Sequence, residues 1–217
     1  MEGSVSAIVI RAEERKDSDL IVRLFSAEGV ISAVMRGVRK ASSKMKFASQ
    51  PFSFCVYELS GKGDMPIVTG ATQIEDFSAV AEDAVCYSAC CVMLEAAYRS
   101  AAAVDCPDSF VSLLKCIKAV LYSNVDPIVA AIKYMQKLLF MSGFFRPERA
   151  LADDGADIST ADRLQKAIAA SRLDELPSVA PEREVACSAL TVTVDKFEQF
   201  FFCEIASARY FTGRKKR

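Results

Sequence analysis

Residues 19–36 read DLIVRLFSAEGVISAVMR. Two short runs rich in β-branched residues, DLIVRLFS (19–26) and VISAVMR (30–36), flank AEG (27–29), which fits a tight turn and little else. This arrangement predicts an antiparallel hairpin. The neighbouring sequence says what the hairpin belongs to. Upstream, SAIVIRA (6–12) has the same strand character. Downstream, FSFCVYEL (52–59) alternates, with Phe52, Phe54 and Val56 on one face and Ser53, Cys55 and Tyr57 on the other. SGKGDMP (60–66) is a glycine-bearing turn stopped by a proline, and IVTGATQIEDF (67–77) makes a fifth strand. Five short strands in so few residues suit a small closed barrel, because closure removes exposed strand edges.

After residue 80 the apolar period becomes helical. DAVCYSACCVMLEAAYRSAAA (83–103) predicts a long helix. SFVSLLKCIKAVLYS (109–123) predicts a second, with Asp108 as its N-cap. DPIVAAIKYMQKLLFMSGFF (126–145) opens with an Asp cap and a proline at the first helical position, and Gly143 ends or breaks it. Residues 146–155 read as a polar loop, 158–171 as a short helix, and ELPSVAPERE (175–184) as a linker. LTVTVDKFEQFFFCEIASARYF (190–211) is read as extended at its start and helical later. The expected fold is α+β: a five-stranded barrel over residues 1–80, then an all-α domain over 81–217 with a basic C-terminal tail.

Composition narrows the function. The chain has 217 residues, 52% of them hydrophobic, enough for a substantial core. Mean hydropathy is +0.20, yet the longest uncharged stretch, AVCYSACCVML (84–94), falls well short of the ~20 residues of a membrane span. The start, MEGSVSAIVIRAEERKD, does not follow a signal-peptide pattern. A cytoplasmic protein without membrane contact is expected. Eight cysteines include no Cys-x-x-Cys pair, and Cys86, Cys90 and Cys91 sit at helical spacing beside Val85, Val92 and Leu94, as small buried apolar residues would. No metal and no cofactor are expected. There is no histidine, which removes the usual proton shuttles near neutral pH. No pair of carboxylates or lysines has a spacing that asks for a reaction. A binding protein is expected, with no catalytic residue.

The net charge is only −1, but RGVRKASSKMK (36–46) holds five cations, Arg36, Arg39, Lys40, Lys44 and Lys46, with no acid among them. This basic connection between the third and fourth strands suits phosphate binding, as in oligonucleotide/oligosaccharide-binding (OB) folds. Gly37 would let backbone approach a phosphate, and Ser42 and Ser43 could donate to its oxygens. Tyr57, on the face opposite Phe52 and Phe54, is the best candidate for base stacking.

In that order and at close spacing, DSDLIVRLFSAEG (17–29), VMRGVRKASSK (34–44) and QPFSFCVYELSGKGDMPIVTGATQIEDF (50–77) resemble the N-terminal domain of the bacterial recombination mediator RecO. The likeness extends to 83–145, where a bundle ending in LLFMSGFFRPE (138–148) is similar to the family's Leu-rich helix. The resemblance implies an OB-fold domain joined to a helical domain, in a nucleoid-associated bacterial protein. It implies binding of single- and double-stranded DNA, strand annealing, and loading of RecA in gap repair with RecR and single-stranded-DNA-binding protein. It places DNA contact on the positions matching Arg36, Arg39, Lys40 and Lys44, while Lys46 rests on charge and proximity. Docking of the acidic tail of single-stranded-DNA-binding protein would need an apolar groove with cations at its rim, for which Lys115, Lys118, Lys133 and Lys137 are candidates. Many family members carry a four-cysteine zinc module after the stretch matching 143–147; ERALADDGADISTADRLQKA (148–167) has neither cysteine nor histidine, so no zinc is expected. The competing expectation is an OB-fold adaptor whose main ligand is another protein. A carboxylate-based nuclease lacks any clustered acidic motif.

Overall fold

The computed structural model describes residues 3–61, 65–143 and 159–214. It divides into two compact units, Met1–Ala79 with Cys106–Phe110, and Val80–Asp105 with Val111–Arg217. The stretch 146–155 and the end of the C-terminal tail, expected as loop and basic extension, lie outside the described residues.

The first unit is a closed barrel of five strands, β1 (Gly3–Arg15), β2 (Asp19–Ser26), β3 (Gly29–Met35), β4 (Ser53–Ser60) and β5 (Ile67–Asp76), in the order β1-β2-β3-β5-β4. The hairpin of 19–36 is β2 and β3, paired from Leu20↔Met35 to Ser26↔Gly29. β1 is longer than the expected 6–12 because it serves two neighbours. It pairs with β4 from Gly3↔Leu59 to Ile8↔Phe54 and with β2 from Ala7↔Ser26 to Arg15↔Asp19, with a register shift between Val9 and Arg11. One bulged strand thus turns the corner that closes the barrel. The closing contact is parallel, Val34↔Ile67, with the Val34 amide donating to the Pro66 carbonyl at 2.9 Å.

The interior is filled by alternate residues, among them Val9, Val22, Leu24, Met35, Cys55, Tyr57 and Leu59, with Val38 and Ala48 added from the connection between β3 and β4. Phe54 points the other way. It stacks on Phe77 at 6.4 Å between ring centroids and meets Phe110 edge-on at 5.9 Å, while Phe25 meets Phe110 at 5.7 Å. Phe110 belongs to the second helix, which starts earlier than expected. α2 spans Cys106–Tyr122, with Asp105 as the N-cap and Pro107 in its first turn, so Asp108 is a first-turn acid and not the cap. A proline tolerated there would break a helix anywhere deeper.

The second unit is helical. α1 (Ala84–Ser100) is capped by Asp83, whose carboxylate accepts from the Cys86 amide at 2.7 Å. α3 (Pro127–Met141) is capped by Asp126, which accepts from the Ile128 and Val129 amides. It is the central helix, with Ile128 to Ile132, Tyr134, Met135, Leu138 and Leu139 all buried. α4 (Thr160–Ala170) is joined to it by polar contacts: Gln136 Nε2 donates to the Gln165 carbonyl at 3.1 Å, and Gln165 Nε2 donates to the Ala189 carbonyl and Thr193 Oγ1. α5 runs from Arg183 to Phe201, so the stretch LTVTV is helical and not extended. Its buried residues Ala186, Ala189, Leu190, Thr193, Val194 and Phe197 recur at helical spacing, and burial of that stripe overrides the β preference of Thr and Val. A last short helix, α6 (Arg209–Thr212), closes the unit. Among the described residues no helix is long and apolar enough to cross a membrane.

The titrating groups give a pH profile. Burial pushes up the thiols of Cys55, Cys91, Cys187 and Cys203, and that of Cys116 to about 12. It pushes the Tyr57 phenol up as well. Raised folded values mean that the unfolded chain deprotonates first. Their stabilising contribution is therefore complete below about pH 9 and is lost as pH rises beyond it. With no histidine in the chain, no side chain has an ordinary value near ~6.5. The Cys86 thiol, lowered by its hydrogen bond with Cys90, and the Lys133 ammonium, lowered by burial, contribute with the opposite sign, but the raised groups outnumber them, and the expected Tm falls above about pH 9. Thermal unfolding followed by circular dichroism checks this, and Cys116→Ala should flatten the alkaline limb.

Candidate nucleic-acid interface

The basic connection Arg36–Lys46 is built by backbone bonds. The Gly37 amide donates to Asp19 Oδ1 at 2.8 Å, and the Arg39 amide donates to the Ser18 carbonyl at 3.0 Å. These bonds fasten the start of the connection to the β1–β2 turn. Two further turns follow, Lys40 N–H to the Gly37 carbonyl and Ser43 N–H to the Lys40 carbonyl. Val38 is buried in the barrel core and Met45 packs against it, so apolar side chains interrupt the cations and plug the barrel end. The segment is therefore a pinned rim and not the free loop that its glycine and serines suggest. Arg36, Arg39, Lys40, Lys44 and Lys46 are all exposed. Apolar residues face in and cations face out.

Gly37 has a different role from the one expected. Its φ is +60°, and its amide is already given to Asp19. It is glycine because the turn needs a left-handed backbone, and its N–H is not left for a phosphate. Ser43 Oγ accepts from the Met45 amide at 3.3 Å, which leaves its hydroxyl proton free to be donated. Arg39 has an acid after all: its guanidinium lies 2.9 Å from Glu14 Oε1 on β1. No run of local sequence could show that partner, since Glu14 arrives by the β1–β2 pairing.

Tyr57 is not a stacking residue. It is 0% exposed, and its hydroxyl donates to the Ala48 carbonyl at 2.9 Å inside the barrel. In a closed barrel the inner face of β4 is Cys55, Tyr57 and Leu59, so the face opposite Phe52 and Phe54 is the core and not the surface. Lys133 is half-buried and already engaged. Its ammonium donates to the carbonyls of Ile168, Ala169 and Ser171, between 2.6 and 3.2 Å, and serves the C-terminal end of α4. Burial lowers its pKa. Committed to three carbonyls, it is not at a groove rim. Lys115 and Lys118 are exposed on α2, and Lys137 lies 5.9 Å from the ring centroid of Phe140 on α3.

Cations outside the 36–46 segment complete the surface. In the β1–β2 register Arg11 stands opposite Arg23, and Glu13 lies 2.7 Å from the first and 3.8 Å from the second. Arg23 also reaches Ser32 on β3 at 3.4 Å. Arg15 and Lys16 are exposed at the β1–β2 turn, beside the point where Arg39 is tied to Ser18. Sequence reasoning missed these four because they are scattered along the chain. Only the strand register, including the bulge, gathers them.

Nothing in this arrangement supplies a nucleophile and base in contact. Among the described residues no group of three or more Cys, Asp or Glu could hold a metal ion. The chemistry available is fixed positive charge on a rigid barrel rim, which suits a polyanion. Residues 1–77 match the family model described as Recombination protein O N terminal.

Proposed function

We propose, from the match of residues 1–77 to the model of the RecO N-terminal domain, that this chain is a DNA-binding recombination mediator without catalytic activity of its own. The match supports a role in DNA recombination and repair. The single observation that carries the DNA-binding reading is the pinned rim of Arg36–Lys46, which fixes exposed cations on a plugged OB barrel. Arg36, Lys40, Lys44 and Lys46 hold phosphates of one or two strands, with the Ser43 hydroxyl as a donor and Arg39 contributing once Glu14 releases it. Screening the repulsion between two backbones lets complementary bases pair, and the bases themselves do the reading. Single- and double-stranded DNA are both ligands on this reading. In the helical unit, Lys115, Lys118 and Lys137 would meet the acidic tail of single-stranded-DNA-binding protein, with RecR as a further partner and RecA loading as the outcome.

The test is strand annealing with bare DNA and with DNA coated by single-stranded-DNA-binding protein. Faster annealing on both substrates is expected at stoichiometric protein. No acceleration on bare DNA, together with no DNA binding at low salt, would leave the adaptor reading in which the barrel's ligand is a protein.

A further inference from the structure

The 3-10 turn Phe47–Ser49 follows Lys46 without a break. It is anchored at every residue. The Ala48 carbonyl accepts from Tyr57, the Ser49 hydroxyl donates to the Lys46 carbonyl at 2.8 Å, and the Ser53 hydroxyl donates to the Phe47 carbonyl. The next segment is fixed too, since the Phe52 amide donates to the Val9 carbonyl with Phe52 at a φ of +71°. Ala48 and Ser49 are buried, yet Phe47 remains 39% exposed. An aromatic ring on a rigid turn costs no backbone ordering when a ligand stacks on it.

Beside this ring lies a cavity of about 110 Å³, well below the ~300–1,000 Å³ of drug-sized pockets. Phe47 and Pro51 line it on the apolar side, and Gln50, Gln73, Glu75 and Asp76 supply polar groups. Gln73 and Glu75 flank a register shift in β5 that leaves Ile74 without a partner in the ladder and 47% exposed. Bulges of this kind re-aim side chains near binding sites.

Each feature restricts the occupant. A phosphate is disfavoured by the two carboxylates. A cationic side chain would suit them, but the segment leading into Phe47 carries the exposed Lys44 and Lys46, which repel it. A flat group with an apolar face and amino hydrogens at its edge meets all the requirements: it stacks on Phe47, donates to Asp76 or Glu75, and exchanges hydrogen bonds with the glutamine amides. Bases of a single strand have that chemistry, and the strand's phosphates would fall on the adjoining lysines.

We propose that the cavity between Phe47 and Asp76 takes one unstacked nucleobase, and favours amino-bearing cytosine and adenine over thymine. This rests on the DNA-binding reading above. It adds a base subsite away from the β2–β3 face on which OB folds commonly bind.

Fluorescence anisotropy with oligonucleotides of dC, dA and dT, over a range of salt, tests it. Wild type should bind dC and dA several-fold tighter than dT. Both Phe47→Ala and Phe47→Leu should weaken dC binding about ten-fold, the size of one stacking interaction, and erase the base preference. The salt slope should not change, because every phosphate keeps its cation. A 2-aminopurine placed in the oligonucleotide should change its fluorescence on binding to wild type and not to the variants. Unchanged affinity in both folded variants, with binding weakened in Lys44→Glu, overturns the base site and leaves the DNA reading standing. Absence of DNA binding by wild type overturns the parent reading instead.

Discussion

Reversing three charges together, Lys40→Glu, Lys44→Glu and Lys46→Glu, should lower affinity for single-stranded DNA by at least about a hundred-fold near physiological salt. All three side chains are exposed. The bonds that shape the rim run through backbone groups, such as Ser43 N–H to the Lys40 carbonyl and Ser49 N–H to the Lys46 carbonyl, and these survive the substitutions. The fold should therefore persist, which circular dichroism can verify. Each phosphate left without its cation lowers the slope of log affinity against log salt by about 0.7 for single strands, so the slope should flatten by about two. Arg39 sets a contrast. Its ion pair with Glu14 is an exposed surface pair of modest strength, and it competes with phosphate. Arg39→Gln should cost less than loss of Lys40, and Glu14→Gln should tighten binding a few-fold by freeing the guanidinium. Anisotropy titrations at several salt concentrations read all of these. Full binding by the triple variant would remove the rim from the interface and with it the observation that supports the mediator reading.

The contrast between Arg39 and Lys40 shows what is legible in the sequence. The cations themselves are, because charge is local. So are β2 and β3, whose bounds follow from β-branched runs around a three-residue turn, and the cap at Asp126, where an acid precedes a helical period. The expectation that fails on a face, Tyr57 as a stacking residue, has a local cause. Alternation in FSFCVYEL sorts residues into two faces but does not say which faces the core, and Phe52 and Phe54 on one face mimic a core. A closed barrel buries one face of every strand, while Phe54 is covered on the other side by Phe77 and Phe110. Lys133 is hidden for a similar reason. It lies on an exposed-looking step of α3, but α4 brings three C-terminal carbonyls onto it from more than thirty residues away. Long-range pairing also hides Glu14 from Arg39 and Arg11 from Arg23. The start of α5 differs, since local β preference yields there to an apolar stripe that only packing can reward.

Tyr57 is where barrel stability and the proposed base site meet. Tyr57→Ala empties the largest side chain from a fully enclosed barrel core and should cost about 3–5 kcal/mol, as large aromatic truncations do. For a small barrel that is a large share of its stability. Tyr57→Phe keeps the ring and removes only the hydroxyl, leaving the Ala48 carbonyl without the bond it accepts at 2.9 Å. That should cost about 1–2 kcal/mol. Its second effect should be on function, because the Ala48 bond fixes the turn that holds Phe47 outside. Tyr57→Phe should therefore weaken binding to dC oligonucleotides about two- to three-fold, half a decade or less, with an unchanged salt slope. Phe47→Leu should do the reverse, losing base preference with little change in the urea midpoint, since the ring it removes is partly in solvent. Urea unfolding and anisotropy on the same two variants separate a ring that builds the barrel from a ring that reads DNA. If Tyr57→Phe lowers stability and leaves base preference untouched, the turn does not need that bond to present Phe47, and the coupling between core and site is absent.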